Sequence, residues 1–234
     1  MWFGKKYVAS GQCIEGYEVL DVIGEGRYGI CYLVVHNGKR YVYKDFKKRE
    51  WKKSGEKAFL EAEILQMLRK PFFPKLFHVV HTKEKYGLLL EYIEGSTIEE
   101  WLFRDEYIFL KEERKKIFLQ LLECVRSLHQ MEIVHRDIRP SNVIYHQEKI
   151  YLIDFGLARK QNETKYVPQV DFSYLGHFLL YLYYSDFPKK QLKKKPWYDE
   201  LPLSEKEKLF CKRLLGFEPK FTNIADVEQF YCEL

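Results

Sequence analysis

Apolar and polar positions alternate through the first third of the chain. Tyr17, Val19, Val22 and Ile23 lead as a strand into a glycine cluster, and residues 30–35 and 40–44 read as two further strands. These two flank His36-Asn37-Gly38-Lys39. Asn-Gly between β-rich runs predicts a tight hairpin, because both turn positions need positive φ. The period then changes. Glu61, Leu65 and Leu68 fall at i, i+4 and i+7, so a helix is expected over 55–70, ended by Pro71 and Pro74. Residues 76–81 and 87–92 return to strand, and Gly95 marks a break.

From Ile98 the period is mainly helical. Residues 111–130 are the clearest case, with Ile117, Leu121, Val125 and Leu128 on one stripe and charges elsewhere. Two short apolar runs, 143–145 and 150–153, flank Gln147-Glu148-Lys149 and predict a second small hairpin. Helix is expected again beyond Gln169, with a loop over 187–202. This order predicts an α+β chain: a small antiparallel β-sheet lobe with one helix, then a larger, mostly helical lobe. The expected organisation is a leader over 1–16, a first lobe over 17–93 and a second over 94–234.

Composition narrows the class. The chain has 234 residues, 46% of them hydrophobic and 17% aromatic, which argues for a packed core and against disorder. A formal net charge of +5 suits a polyanionic nucleotide without requiring a nucleic-acid partner. The one charge block is Lys189, Lys190, Lys193, Lys194 and Lys195. It reads either as a docking surface for an acidic substrate or nucleic acid, or as a solvated loop. Five cysteines, an odd number without a C-x-x-C pair, argue against a disulfide framework or a zinc knuckle. Free thiols fit a reducing compartment. Met1 to Ser10 carries no long apolar run, and residues 178–184 are too short an apolar stretch to span a bilayer. A cytoplasmic protein is expected.

Four features carry chemistry. Gly24-Glu25-Gly26-Arg27-Tyr28-Gly29 is a complete G-x-G-x-x-G. Such glycines let backbone N–H groups approach phosphate oxygens. A dinucleotide site would be followed by a helix; here a strand follows, which makes the loop a lid over phosphates. Lys44 closes an apolar strand, either at the surface or pointing inward to phosphates. The inward reading needs a carboxylate, and Glu61, on the apolar helix face, fits better than Glu63. The third feature is His135-Arg136-Asp137-Ile138-Arg139-Pro140-Ser141-Asn142, and the fourth is Asp154-Phe155-Gly156 beyond the second hairpin. Two acids, Asp137 and Asp154, with the amide Asn142 suit metal-assisted phosphoryl transfer, which needs a carboxylate to orient the attacking hydroxyl and oxygen ligands for the hard cation Mg²⁺.

Together these residues resemble the eukaryotic-type protein kinases from about Tyr17 to Gly176. The resemblance implies a bilobal kinase fold and the use of ATP and Mg²⁺. It implies that Gly24, Glu25, Gly26 and Gly29 form the phosphate lid and that Lys44 pairs with Glu61. Asp137 would be the catalytic carboxylate, Arg139 would neutralise phosphate charge, and Asn142 and Asp154 would hold the metal. Leu90-Glu91-Tyr92-Ile93 resembles the hinge, with Leu90 as gatekeeper and backbone groups of Glu91 and Ile93 on adenine. Asp171 opens a D-x-x-S-x-G run and would brace the catalytic loop.

The chain departs from the family pattern in three places. Arg139 stands where serine/threonine kinases usually carry Lys, so the charge is kept and the geometry changed. Asp154 and Asp171 lie only 17 positions apart, with no A-P-E motif between them. The terminal region 215–222 lacks the Arg that usually pairs with that motif. The shortness makes the chain similar also to compact RIO-type and tRNA-modification-complex kinases. Arg136 either reads a phosphate on Thr164 or Tyr166 or only packs the catalytic loop. The leading expectation is transfer of the γ-phosphoryl group of ATP to a protein Ser or Thr. The alternatives are a small-molecule kinase or partner-coupled ATPase, and a non-catalytic nucleotide-binding module.

Overall fold

The computed structural model describes residues 7–54, 59–187 and 195–234. The chain forms two compact units, Met1–Ile93 and Glu94–Leu234.

The first unit holds β1 (Cys13–Ile14), β2 (Tyr17–Glu25), β3 (Gly29–His36), β4 (Lys39–Phe46), α1 (Lys48–Ser54), α2 (Leu60–Met67), β5 (Leu76–His81) and β6 (Tyr86–Glu91). The strands make one antiparallel sheet in the order β1-β2-β3-β4-β6-β5. The Asn37-Gly38 hairpin forms as predicted: His36 faces Lys39, with φ of 50° at Asn37 and 73° at Gly38. Part of the expected leader joins the sheet, since Ile14 pairs with Tyr17.

The helix expected over 55–70 is shorter. α2 ends at Met67, where Leu68 turns to extended backbone ahead of the two prolines, and a separate α1 precedes it. Residues 55–58, the expected helix start, lie outside the described part.

Strand alternation sorts the sheet's two faces. Ile14, Val19, Tyr32, Val34, Tyr43, Val80 and Leu89 bury together as one core cluster. Their neighbours in sequence, Lys44 on β4 and Leu88 on β6, therefore point to the opposite face and are paired across the ladder. Tyr86 anchors that second face, with its ring against Phe46, Trp51 and Phe59.

The second unit contains β7 (Ser96–Thr97), α3 (Ile98–Phe103), α4 (Lys111–His129), β8 (Ile133–Val134), β9 (Val143–His146), β10 (Lys149–Leu152), β11 (Arg159–Lys160), α5 (Pro168–Tyr184), α6 (Trp197–Glu200), α7 (Glu205–Leu215) and α8 (Ile224–Cys232). The predicted stripe of α4 (Ile117, Leu121, Val125 and Leu128) is fully buried. Ser204 and Glu207 exchange bonds in a capping box that starts α7, and Gly216 at φ 81° ends it. The second hairpin forms between β9 and β10, and its turn residues Gln147 and Glu148 both take positive φ without a glycine. One helical turn, α6, lies inside the expected loop. Of the lysine block, residues 189, 190, 193 and 194 lie outside the described residues.

The five cysteines are free thiols. Among the described residues no helix is long and apolar enough to cross a membrane.

Candidate active site

In the first unit the glycine cluster is the bend between β2 and β3. Glu25 pairs with Ile30 and Gly24 with Cys31, so the loop is closed by strands on both sides. The N–H of Gly26 donates to the Gly29 carbonyl at 2.9 Å. Lys47 braces the loop from below, its ammonium donating to Glu25 Oε1 and to the Gly26 carbonyl, both at 2.8 Å. Gly29 is required by packing: a Cβ there would lie 2.5 Å from the Asp45 carbonyl oxygen. Gly26 has open space at the same position.

Lys44 takes the inward alternative. Its side chain is 10% exposed, and its ammonium donates to Glu61 Oε1 at 2.7 Å and Oε2 at 2.9 Å. Glu61 is buried on α2, whereas Glu63 is exposed. Position in the helix explains the difference, because Ala62, Ile64 and Leu65 bury the same side. At the far end of the sheet Leu90 is half-buried on β6 between Val42 and Leu76. Glu91 fixes the strand end: its N–H donates to the Lys75 carbonyl and its carboxylate accepts the Lys75 N–H. Ile93 closes the first unit.

In the second unit the centre is Asp171, which is fully buried on α5. Its carboxylate accepts the backbone N–H of His135 (2.9 Å) and of Arg136 (2.8 Å), and lies 2.9 Å from His129 Nε2. These bonds hold Arg136 at φ 66°, a strained value for a non-glycine residue. The bend turns the chain so that Asp137 is presented half-buried at the surface of the unit.

Asn142 then ties three segments together. Its amide donates to the Asp137 carbonyl and to Asp137 Oδ2, both at 2.9 Å. Its backbone carbonyl accepts the N–H of Ile153, the residue before Asp154. Asp154 sits at φ 61° with an exposed side chain and accepts the Gly156 N–H through Oδ1 at 3.2 Å. Phe155 next to it is fully buried, its ring edge-on to His135 at 4.9 Å. The Phe anchors the segment while the Asp stays out. Arg139, exposed, places Nε 3.3 Å from Asp137 Oδ1.

Burial lowers the pKa of His135, and the Asp171, Asp154 and Asp137 carboxylates only partly oppose it. The ring is therefore neutral at pH 7, which suits Nδ1 as acceptor for the Asp137 N–H at 3.3 Å. Arg136 donates to the Leu157 carbonyl at 3.1 Å, and its guanidinium lies 4.7 Å from the centre of the Tyr166 ring. Thr164 lies in a small turn closed by Asn162 Oδ1, which accepts the N–H groups of residues 164, 165 and 166.

The profile of the family described as "Protein kinase domain" matches residues 17–178. The chain belongs to the protein kinase family. It is 33% identical over 222 residues to the protein named "Probable serine/threonine-protein kinase YbdM" of Bacillus subtilis (strain 168), covering 91% of this chain and 87% of that protein. It is 28% identical over 168 residues to the carbon catabolite-derepressing protein kinase of Saccharomyces cerevisiae, which takes in 70% of this chain and 26% of that protein. Sperm motility kinase 3A of Mus musculus is 31% identical over 147 residues, or 62% of this chain and 29% of that protein. This kinase thus spans most of the Bacillus relative and between a quarter and a third of the yeast and mouse ones.

The motifs did not point to two of the kinase's contacts. His129 reaches Asp171 from the end of α4, and Lys47 supports the glycine loop. The signal available for His129 was its place on the last turn of a helix leading directly into the catalytic loop. For Lys47 it was an extra charge one residue past the strand end. Among the described residues no three or more His, Cys, Asp or Glu side chains gather into a metal cage. Asp154 presents an exposed carboxylate one residue after Ile153, whose N–H Asn142 holds, and one carboxylate with an amide oxygen is donor chemistry that fits Mg²⁺, which is usually held by one or two carboxylates together with substrate phosphates.

Proposed function

We propose that this kinase transfers the γ-phosphoryl group of ATP to Ser or Thr hydroxyls of protein substrates, with Mg²⁺ as cofactor and in the cytoplasm. The observation that carries the reading is the pairing of Asp137 with Asn142, together with the Asn142–Ile153 bond that ties the loop to Asp154. Asp137 orients the acceptor hydroxyl and takes its proton as the oxygen–phosphorus bond forms and the bond from the γ-phosphorus to the bridging oxygen breaks, releasing ADP. Asn142 fixes the Asp137 carboxylate with its amide N–H, and its amide oxygen and Asp154 would hold the cation. Mg²⁺, when bound, screens the charge of the phosphates. Lys44, held by Glu61, pairs with the α and β phosphates, and the N–H groups of the Gly24–Gly29 loop cover them. Arg139 adds positive charge next to Asp137. Backbone groups of Glu91 and Ile93 take the adenine.

Ser/Thr specificity is supported by Arg139-Pro140-Ser141, which stands nearer the Lys-Pro-x form of serine/threonine kinases, and by the name of the Bacillus relative. The test is label transfer from ATP with Mg²⁺ to a generic protein acceptor and to the kinase itself, followed by phospho-amino-acid analysis. Phosphoserine or phosphothreonine that disappears in both Asp137→Asn and Asp154→Asn is the expected result. ATP loss that depends on Asp154 without protein labelling would overturn it in favour of a small-molecule acceptor or a coupled ATPase.

A further inference from the structure

Among the described residues, one face of α5 lies uncovered next to the catalytic loop. Tyr174, His177, Phe178 and Tyr181 fall at i, i+3, i+4 and i+7, so they share that face. With Ile138, Arg139 and Pro140 they line a cavity of about 290 Å³. None of its lining residues comes from 154–167, the short stretch between the Asp-Phe-Gly motif and α5. That stretch instead folds back through β11 onto β8. Phe178 forms the buried floor, while Tyr181 is 46% exposed. The Tyr181 ring meets Phe103 edge-on at 6.2 Å, and Phe103 is 63% exposed, so apolar surface continues onto α3. Covering these rings with an apolar side chain would remove apolar surface from water, which is favourable.

The groove adjoins the acceptor position. Arg139 lines it and at the same time sits 3.3 Å from Asp137. No carboxylate lines it. A basic side chain entering here would face Arg139, which already pairs with the Asp137 carboxylate. Partial burial of the His177 ring lowers its pKa, which favours the neutral form, and Nδ1–H can donate to the Ser173 carbonyl at 2.9 Å. The walls favour a large apolar side chain.

We propose that this groove is a specificity subsite that takes a Phe- or Leu-like side chain of the protein substrate, close in sequence to the acceptor hydroxyl. It deepens the reading of Asp137 as the catalytic carboxylate and rests on it. Tyr181 forms the outer wall and Phe103 extends the contact. A substrate that fills the groove gains the transfer free energy of one buried apolar side chain, worth roughly tenfold to hundredfold in kcat/KM.

The experiment uses acceptor peptides in which Phe, Lys or Ala is moved through each position flanking one Ser. Phosphorylation rates and direct binding, by anisotropy of labelled peptides, are measured for wild type, Tyr181→Ala and Tyr181→Glu. Phe217→Ala serves as control, since that exposed ring does not line the groove. Phe at one defined position should raise kcat/KM about tenfold or more over Ala. Tyr181→Ala should collapse that ratio towards one, Tyr181→Glu should shift the preference to Lys, and Phe217→Ala should leave the ratio as it was. Equal rates across the series, or a Phe preference that survives Tyr181→Ala, would overturn the subsite and leave the kinase assignment standing. Phe-selective binding lost in Tyr181→Ala, without transfer to any peptide, would uphold the groove and overturn the protein-acceptor reading. Self-association abolished by Tyr181→Ala would assign the groove to a second copy and overturn the proposal.

Discussion

Asn142 donates two hydrogen bonds to Asp137, one to its main-chain carbonyl and one to its carboxylate, both at 2.9 Å. The two residues are five apart, and the single turn Pro140–Asn142 brings them face to face. The amide therefore sets the direction of the carboxylate before any substrate arrives. Orientation of this kind is a large part of what an enzyme contributes to phosphoryl transfer.

Removing that amide should cost rate more than fold. Asn142→Ala frees Asp137 and, on the proposed reading, removes an oxygen that would hold the cation, so transfer should fall by about 10²-fold or more. Asp137→Asn should fall at least as far. The check is the initial rate at saturating ATP, with circular dichroism showing retained structure. A rate within a few-fold of wild type for Asn142→Ala would sink the assignment of Asn142.

The Lys44–Glu61 pair predicts an asymmetry between two nearby glutamates. Glu61→Ala leaves a buried ammonium without its bidentate partner and should destabilise the protein by about 3 kcal/mol. Glu63 is exposed, and Glu63→Ala should change stability by no more than about 0.5 kcal/mol. Urea unfolding of the two variants measures the difference. The same pair should separate in ATP affinity, with Glu61→Ala much the weaker.

Two glycines of the loop should respond in opposite ways. A Cβ at Gly29 would come 2.5 Å from the Asp45 carbonyl oxygen and 3.3 Å from the Phe46 Cα, both main-chain atoms of β4. Gly29→Ala should therefore shift β4 near Lys44 and cost about 1–3 kcal/mol, with weaker ATP binding. Gly26→Ala meets nothing within 4 Å and should fold as wild type does. Thermal unfolding with and without ATP distinguishes them; equal losses would refute the packing argument.

The buried His135 makes stability depend on pH. Burial holds its folded pKa below the ordinary value, so the unfolded chain binds the proton first as pH falls. Its contribution is fully present above the unfolded pKa, near 6.5, and is lost as pH drops below that value towards the folded one. Protonation would also remove Nδ1 as acceptor for the Asp137 N–H. His177, shifted the same way, adds to the effect. Asp45, whose pKa burial raises, acts in the opposite sense nearer the carboxylate range. Urea midpoints should fall between pH 7.5 and 5.5, and His135→Phe should flatten that slope. An unchanged slope would show that His135 is not the group responsible.

The sequence by itself determined the features whose cause is local. Asn37-Gly38 dictated its hairpin because only residues tolerant of positive φ fit both turn positions. The stripe of α4 followed from apolar residues at helical spacing, each of which packs inward. The order of Gly24–Gly29, Lys44, His135–Asn142 and Asp154–Gly156 identified the family. Tertiary structure decided what depends on residues far apart in sequence. Lys44 turned inward only because strand alternation set it opposite Tyr43 and because α2 brought Glu61 over it, 17 residues on. Asp171 became the brace of the catalytic loop by meeting N–H groups 35 and 36 residues away and His129 42 residues away. Gln147 and Glu148 adopt positive φ without a glycine, a strain that the pairing of β9 with β10 holds in place. The groove along Tyr174, His177 and Tyr181 was hidden for the same reason. Helical spacing places these rings on one face, but it took the fold to show that 154–167, turned back towards β8, contributes no residue to the groove along it.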